Sequence, residues 1–216
     1  CTAFTQGGSA EEFCLPALAL GLYLALALMK NQIAHPEAAQ ALFGAAAGWV
    51  FLVKYTDCGL FAGLGLCLLI GVICQKGWLS AVCAALRMLL GVALVCLPAA
   101  GYLAVNGALR DCVNVYFIQN LFDYSGTPMT LTGHLYNALA YLRTQSMVNP
   151  VLALAAGAGM LFIAADAIRT HERGFWAQAL AVPMGAGLLL LTCYWGEMAH
   201  PYYALVFAAF VPVGLI

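Results

Sequence analysis

Uncharged apolar runs of membrane-crossing length decide what this chain can fold into. Residues 13–29, 59–74 and 175–195 contain no Asp, Glu, Lys or Arg. A transmembrane helix needs about 20 mostly apolar residues, within a range of about 17–25. Only 8% of the chain is charged and 64% is hydrophobic, with a mean hydropathy of +0.93. A soluble domain carries roughly 25% charge and 45–50% apolar residues, so soluble enzymes and disordered regions are excluded. A net charge of −1 offers no basic field to a phosphate backbone, which excludes nucleic-acid binding. The expected fold is all-α, a polytopic transmembrane bundle.

About seven spans are expected, near 13–29, 41–53, 59–74, 87–105, 150–168, 175–195 and 202–216. Residues 41–53 are too few to cross alone. The chain starts at Cys1 without Met and stops at Ile216 inside an apolar run. It therefore reads as an internal piece, residues 1–216 forming part of one larger transmembrane domain. The nine cysteines contain no CxxC pair and mostly sit in apolar runs, as Cys67, Cys74, Cys83, Cys96 and Cys193 do. They read as small lipid-compatible fillers rather than a disulfide or metal framework.

With residues 1–12 outside, Lys30, Lys76, Arg87, Arg169 and Arg173 fall at inner ends, and Lys54, Arg110 and Arg143 outside. That follows the positive-inside rule. The remaining polarity then gathers on the outer side: Glu11, Glu12, Lys54, Asp57, Asp111, Asp123, His134, Glu197 and His200. The longest segment between spans, 106–149, lies there too. In it Leu109, Cys112, Val113, Tyr116, Phe117 and Leu121 recur at helical spacing, as do Leu131, Leu135, Ala138, Leu139 and Leu142. Two amphipathic helices lying on the membrane surface are expected, joined by a turn at Ser125-Gly126-Thr127-Pro128.

Four groups carry the chemistry. Ser9-Ala10-Glu11-Glu12 reads as a capping box opening the first span, or as a cap that leaves one carboxylate for a headgroup, a metal or an acceptor hydroxyl. Lys54-Tyr55-Thr56-Asp57 interrupts two apolar runs at a depth where charge is costly. Lys54 there either snorkels, pairs with Asp57, or meets a lipid phosphate lying at the same level. Glu197-Met198-Ala199-His200-Pro201-Tyr202-Tyr203 forms an aromatic belt with a Pro-initiated helix, or supplies donors to a phosphate. Gly44-Ala45-Ala46-Ala47-Gly48 is a GxxxG packing face. Asp166 and Arg87 read as interface anchors. No P-loop, GxGxxG or HExxH is present, which argues against nucleotide-driven pumps and the usual membrane metalloproteases.

Taken in order, these residues resemble the membrane glycosyltransferases of the GT-C superfamily, including the bacterial protein O-mannosyltransferase and aminoarabinose transferase relatives. The resemblance rests on Gly7-Gly8-Ser9-Ala10-Glu11-Glu12-Phe13 and Gly48-Trp49-Val50-Phe51-Leu52-Val53-Lys54. Gly107-Ala108-Leu109-Arg110-Asp111 with Tyr116, Phe117 and Asn120, and the closing His200-Pro201-Tyr202-Tyr203, add to it. It runs patchily from Gly7 to the end.

The resemblance implies a hexosyl- or pentosyltransferase of the bacterial cytoplasmic membrane, with its active site extracytoplasmic. A sugar on a polyprenyl phosphate would move, with inversion, to a lipid, glycan or protein acceptor. It places the donor phosphate at Lys54, His200, Tyr202 and Tyr203, gives Glu11, Glu12 and Asp57 as acidic candidates, and gives Asp111 and Asp123 as an acceptor groove. No cofactor is assigned; a divalent metal, Mg or Mn, stays open, as do the metal's ligands. The family's general base, an Asp in the first outer loop, would precede Cys1, so the catalytic residue is expected upstream. A transporter or lipid flippase is the alternative, needing polar residues near the bilayer midplane. A lipid-linked glycan polymerase is a third reading.

Overall fold

A computed structural model describes residues 7–123, 130–170, 175–195 and 200–211. The described residues are helical throughout, without strands. Helix α1 (Ala10–Met29) opens at Ser9, whose extended backbone ends the preceding coil. The expected capping box does not form as such: the Glu12 carboxylate bonds one residue beyond the N-cap. Glu12 reaches back and accepts from the Gly8 N–H at 2.7 Å, whereas the Ser9 hydroxyl caps nothing. The helix stops where Asn31 takes φ 53°. The Gln32 N–H then bonds the Ala27 carbonyl at 3.0 Å, and the Asn31 N–H the Leu28 carbonyl at 3.1 Å. This is a Schellman stop, with Asn in the left-handed seat usually taken by Gly.

Helix α2 (Pro36–Lys54) begins with Pro at its first position, where the missing N–H costs nothing. It is longer than the run 41–53 because Glu37 and the alanines after it continue the helix toward Pro36. A 3₁₀ turn, Tyr55–Cys58, joins it to α3 (Gly59–Lys76). Helix α4 (Trp78–Val105) starts right after Gly77, whose φ of 85° breaks the chain between the two helices. The expected inner loop before residue 87 is thus mostly helix. Arg87 lies within α4 and donates to the Gln40 Oε1 at 3.1 Å, so it ties two helices rather than ending one.

After α4 a single α-turn, α5 (Leu109–Cys112), runs into a π-helical stretch, Val113–Asp123. Helix α6 (Leu131–Val148) and α7 (Pro150–Thr170) follow, separated by Asn149 and bent by 116°. Helix α8 (Phe175–Cys193) and a 3₁₀ segment, Pro201–Phe210, complete the described chain. The amphipathic pattern seen at 109–121 and 131–142 therefore belongs to helices, the first of them wound as π. The expected turn at 125–128 lies outside the described residues, as do the last five residues of the last span, 212–216.

By length and composition four helical runs can cross a membrane: Ala10–Met29, Pro36–Lys76, Trp78–Val105 and Trp176–Cys193. A fifth is added if the bent pair Leu131–Val148 and Pro150–Asp166 counts as one. This is fewer than the seven expected, because Pro36–Lys76 counts as one run although Lys54 interrupts it, α6–α7 is sharply bent, and the tail Pro201–Phe210 is a 3₁₀ segment of only ten residues. The Pro36–Lys76 run nonetheless doubles back. Rings of Phe43 and Phe61 meet at 5.2 Å, whereas 18 residues of straight helix would span about 27 Å.

Glycines set the helix spacing. A Cβ on Gly44 would lie 1.8 Å from the Met88 carbonyl oxygen, and one on Gly91 1.9 Å from that of Ala41, so α2 and α4 touch through backbone. Gly63 faces the Gly185 backbone in the same way between α3 and α8, at 2.6 Å. Such close approach replaces the hydrophobic drive that lipid removes. The bundle has two polar ends. At one, Lys30 pairs with Asp166 and Gln178 donates to the Met29 carbonyl at 3.2 Å. At the other stands Lys54.

Candidate functional site

Four elements meet around Lys54. The first turn of α1 supplies Glu11, the end of α2 supplies Lys54, the 3₁₀ turn supplies Asp57, and the 3₁₀ tail supplies Tyr203. Local backbone makes this possible: Lys54 is extended, at φ −157° and ψ 93°, so its side chain leaves the helix cylinder where the chain reverses.

The Lys54 ammonium pairs with the Glu11 Oε1, stands 3.9 Å from the Asp57 Oδ1, and sits 3.7 Å above the centre of the Tyr203 ring. That last contact is a cation–π interaction. Glu11 is 1% exposed and Asp57 0%. The Asp57 Oδ1 also accepts from the Cys193 Sγ at 3.2 Å. Cys193 is therefore a hydrogen-bond donor at the end of α8, not simply a filler, which the apolar run around it concealed. Two carboxylates face one ammonium, and their second oxygens, Glu11 Oε2 and Asp57 Oδ2, have no partner among the described residues. Buried charge of this kind persists only where pairing or function holds it.

Beside the cluster opens a cavity of about 500 Å³, lined by Gly7, Gly8, Ser9, Ala10, Glu11, Lys54, Tyr202 and Tyr203. Gly7 and Gly8 both take left-handed backbone, at φ 48° and 70°, which lets the chain turn tightly into α1. The N-terminal end of α1, an ammonium and two phenols thus border one space. Helix N-termini and ammonium groups both favour anions; Glu11 opposes that preference and occupies the ammonium in this state.

The Lys54 turn is covered from above by the π-helical stretch. The Tyr116 hydroxyl donates to the Phe51 carbonyl at 2.8 Å and accepts from the Tyr55 N–H at 3.1 Å. Its ring packs against Tyr55 and Phe117, at 5.3 Å and 5.0 Å. Burial pushes the Tyr116 phenol up to about 12, the Tyr55 N–H acting weakly the other way. The group stays protonated, and so stays a donor, at any ordinary pH. Tyr116→Phe removes that donor and leaves the Tyr55 N–H unpaired, a cost of about 1–3 kcal/mol. Hydrogen exchange at Tyr55 and across 113–123 should rise by the matching factor; unchanged protection would show that ring packing alone holds the stretch.

Of the residues singled out from sequence, Glu11, Lys54, Asp57, Tyr202 and Tyr203 come together. Glu12 does not: its carboxylate is spent on the Gly8 N–H. His200 stacks on Tyr202 with ring centres 5.1 Å apart but does not line the cavity. Asp111 is exposed on α5, and the side chain of Asp123 lies outside the described residues, as does Glu197. Among the described residues no group of three or more His, Cys, Asp or Glu side chains could hold a metal ion. Sequence reading passed over Tyr194, which is 1% exposed and lies between Tyr141 and Tyr203 at 5.4 Å and 6.0 Å. Its place directly after an apolar run, beside Trp195, gave only an interface signal.

Fold and site together define an all-helical protein with several helices able to span a membrane and a buried charged cluster at one end of the bundle. Compared with protein-family models, curated proteins and solved structures, the chain matches none.

Proposed function

We propose that this chain forms the donor end of an integral membrane glycosyltransferase that moves a sugar from a polyprenyl phosphate to an acceptor, with inversion. The observation that carries the reading is the 500 Å³ cavity bordered by Lys54, the start of α1, Tyr202 and Tyr203. In the transfer, an acceptor hydroxyl oxygen bonds the anomeric carbon while the bond from that carbon to the phosphate oxygen breaks. Negative charge grows on the departing phosphate, and a fixed ammonium beside it lowers the barrier. Glu11 and Asp57 hold Lys54 at the cavity wall. The proton of the acceptor hydroxyl passes to a general base outside the Lys54 cluster.

On this reading the Lys54 end faces the extracytoplasmic side of a bacterial cytoplasmic membrane. The hairpin at 55–58 divides Pro36–Lys76 into two crossings, and α7 and the 3₁₀ tail add two more, which gives seven. One observation favours a second reading: paired buried carboxylates with unpartnered oxygens suit proton- or cation-coupled transport.

The test uses the intact protein in proteoliposomes with a polyprenyl-phosphate sugar. Transfer is expected, and the charge-balanced pair Glu11→Gln/Lys54→Gln should lower its rate by about 10²–10³ while the protein remains folded. Undiminished transfer in that variant sinks the phosphate role. Solute uptake without any transfer replaces the reading with the transporter.

A further inference from the structure

A second cavity, about 320 Å³, is also bordered by the 3₁₀ tail, through Ala204 and Phe207, where the Lys54 cavity is bordered by Tyr202 and Tyr203. It runs along α7 from Asn149 at the α6–α7 bend to Met160, walled by Ala186, Leu190 and Phe207 on the neighbouring elements. The width comes from small residues: a Cβ on Gly157 or on Gly187 would meet nothing within 4 Å. Polar side chains occur mainly at its head, where Gln145, Ser146 and Asn149 gather, and none of its lining residues is charged.

We propose that this groove holds one acyl chain of an ester-linked membrane lipid, and that this lipid is the acceptor of the transfer. The inference rests on the glycosyltransferase reading for its second half only. Three observations choose the occupant. The groove is apolar and is walled on one side by α8, which is long and apolar enough to cross a membrane, so hydrocarbon is the chemistry that suits it. A methylene or water-sized group takes roughly 30 Å³, so the groove holds about ten of them, the scale of an acyl chain rather than of a polyprenyl chain several dozen carbons long. A polyprenyl chain also ends directly in phosphate, which needs a cation at the head. Here the head offers only amides and a hydroxyl, matched to ester carbonyls and glycerol hydroxyls, while the Lys54 ammonium lines the other cavity. Tyr203, with Lys54 over its ring, and Phe207 in the groove wall lie on that same tail segment, so the two cavities are neighbours.

The experiment compares two photoreactive probes on the intact protein in liposomes: phosphatidylglycerol with a diazirine in its acyl chain, and a diazirine-bearing polyprenyl phosphate. The acyl probe is expected to label peptides covering 152–160 and 186–190. Gly157→Leu and Gly187→Leu, each filling open space, should each lower that labelling about tenfold, the equivalent of one or two excluded methylenes. Sugar transfer to the lipid should fall in parallel while unfolding temperature holds. Labelling of these peptides by the polyprenyl probe alone overturns the proposal and leaves the glycosyltransferase reading intact. Labelling by neither probe, or acyl labelling that both leucine variants leave unchanged, overturns it as well. Acyl labelling without any transfer keeps the chain site and removes the acceptor role together with the enzyme reading.

Discussion

Lys54→Met is expected to destabilise the intact protein by about 3–5 kcal/mol, because it strands Glu11 and Asp57 as buried carboxylates without a counter-ion. Methionine keeps most of the lysine stem's volume and its contact with Tyr203, so little of that cost is packing. Adding Glu11→Gln to Lys54→Met should return a good part of it, since one of the two stranded charges is gone. The pair at the other end of the bundle supplies the comparison. Lys30 and Asp166 are 30% and 35% exposed, and breaking an ion pair open to water costs below about 1 kcal/mol. Thermal unfolding in detergent of the single and double variants measures all three. If Lys54→Met costs no more than Lys30→Met, the Lys54 cluster is screened and its burial carries no energetic weight. The same argument explains why activity must be read in a charge-balanced variant: a single Lys54 replacement confounds a lost phosphate ligand with a lost fold.

Lys54 was legible in the sequence because a lysine and an aspartate three residues apart interrupt two apolar runs. That spacing makes a Lys54–Asp57 contact local, and the structure shows them 3.9 Å apart. The contact with Glu11, 43 residues earlier, was not legible as a pair, although each residue stands out separately in the sequence. Nothing in a linear pattern says that the first turn of α1 stands beside the last residue of α2. The choice between Glu11 and Glu12 was equally closed, since adjacent helix residues point about 100° apart and only the packing decides which one is buried. Cys193 and Tyr194 stayed hidden for a different reason: both are ordinary residues for an apolar span, and their role comes from what stands opposite.

Helix centres were easier to read than helix ends. Hydropathy averages over a window, so it finds the middle of α1 or α3 and blurs where each begins. Pro36 and Gly77, whose backbone preferences start α2 and separate α3 from α4, carry no hydropathic weight. Arg87 misled in the opposite direction, because a charge normally ends a span, whereas Gln40 satisfies it inside the bundle. The winding of Val113–Asp123 as a π-helix could not be separated from an α-helix by spacing over 11 residues, because residues four apart stay near one face in both.

The glycines of α2 and α4 carry the second large expected effect. Gly44→Ala should destabilise the bundle by roughly 3 kcal/mol, at the upper end of the cost of overpacking, because the new methyl would fall 1.8 Å from the Met88 carbonyl oxygen and 2.7 Å from its carbon. These are backbone atoms, so no side-chain rotation relieves the clash; the two helices must part along their contact. Separation then loosens the neighbouring approach of Gly91 to Ala41, and in lipid no hydrophobic term restores what the backbone contact loses. The gain in helix propensity from Gly to Ala, up to about 1 kcal/mol, offsets only part of this. Gly101→Ala isolates that gain, since a Cβ there meets nothing within 4 Å in the same helix α4, and it should stabilise slightly. Opposite signs for the two alanines, read from unfolding in mixed micelles, would establish that α2 and α4 are held by close backbone approach. Equal signs would mean that the helices shift apart without penalty and that the Gly44-to-Gly48 face is not what holds them.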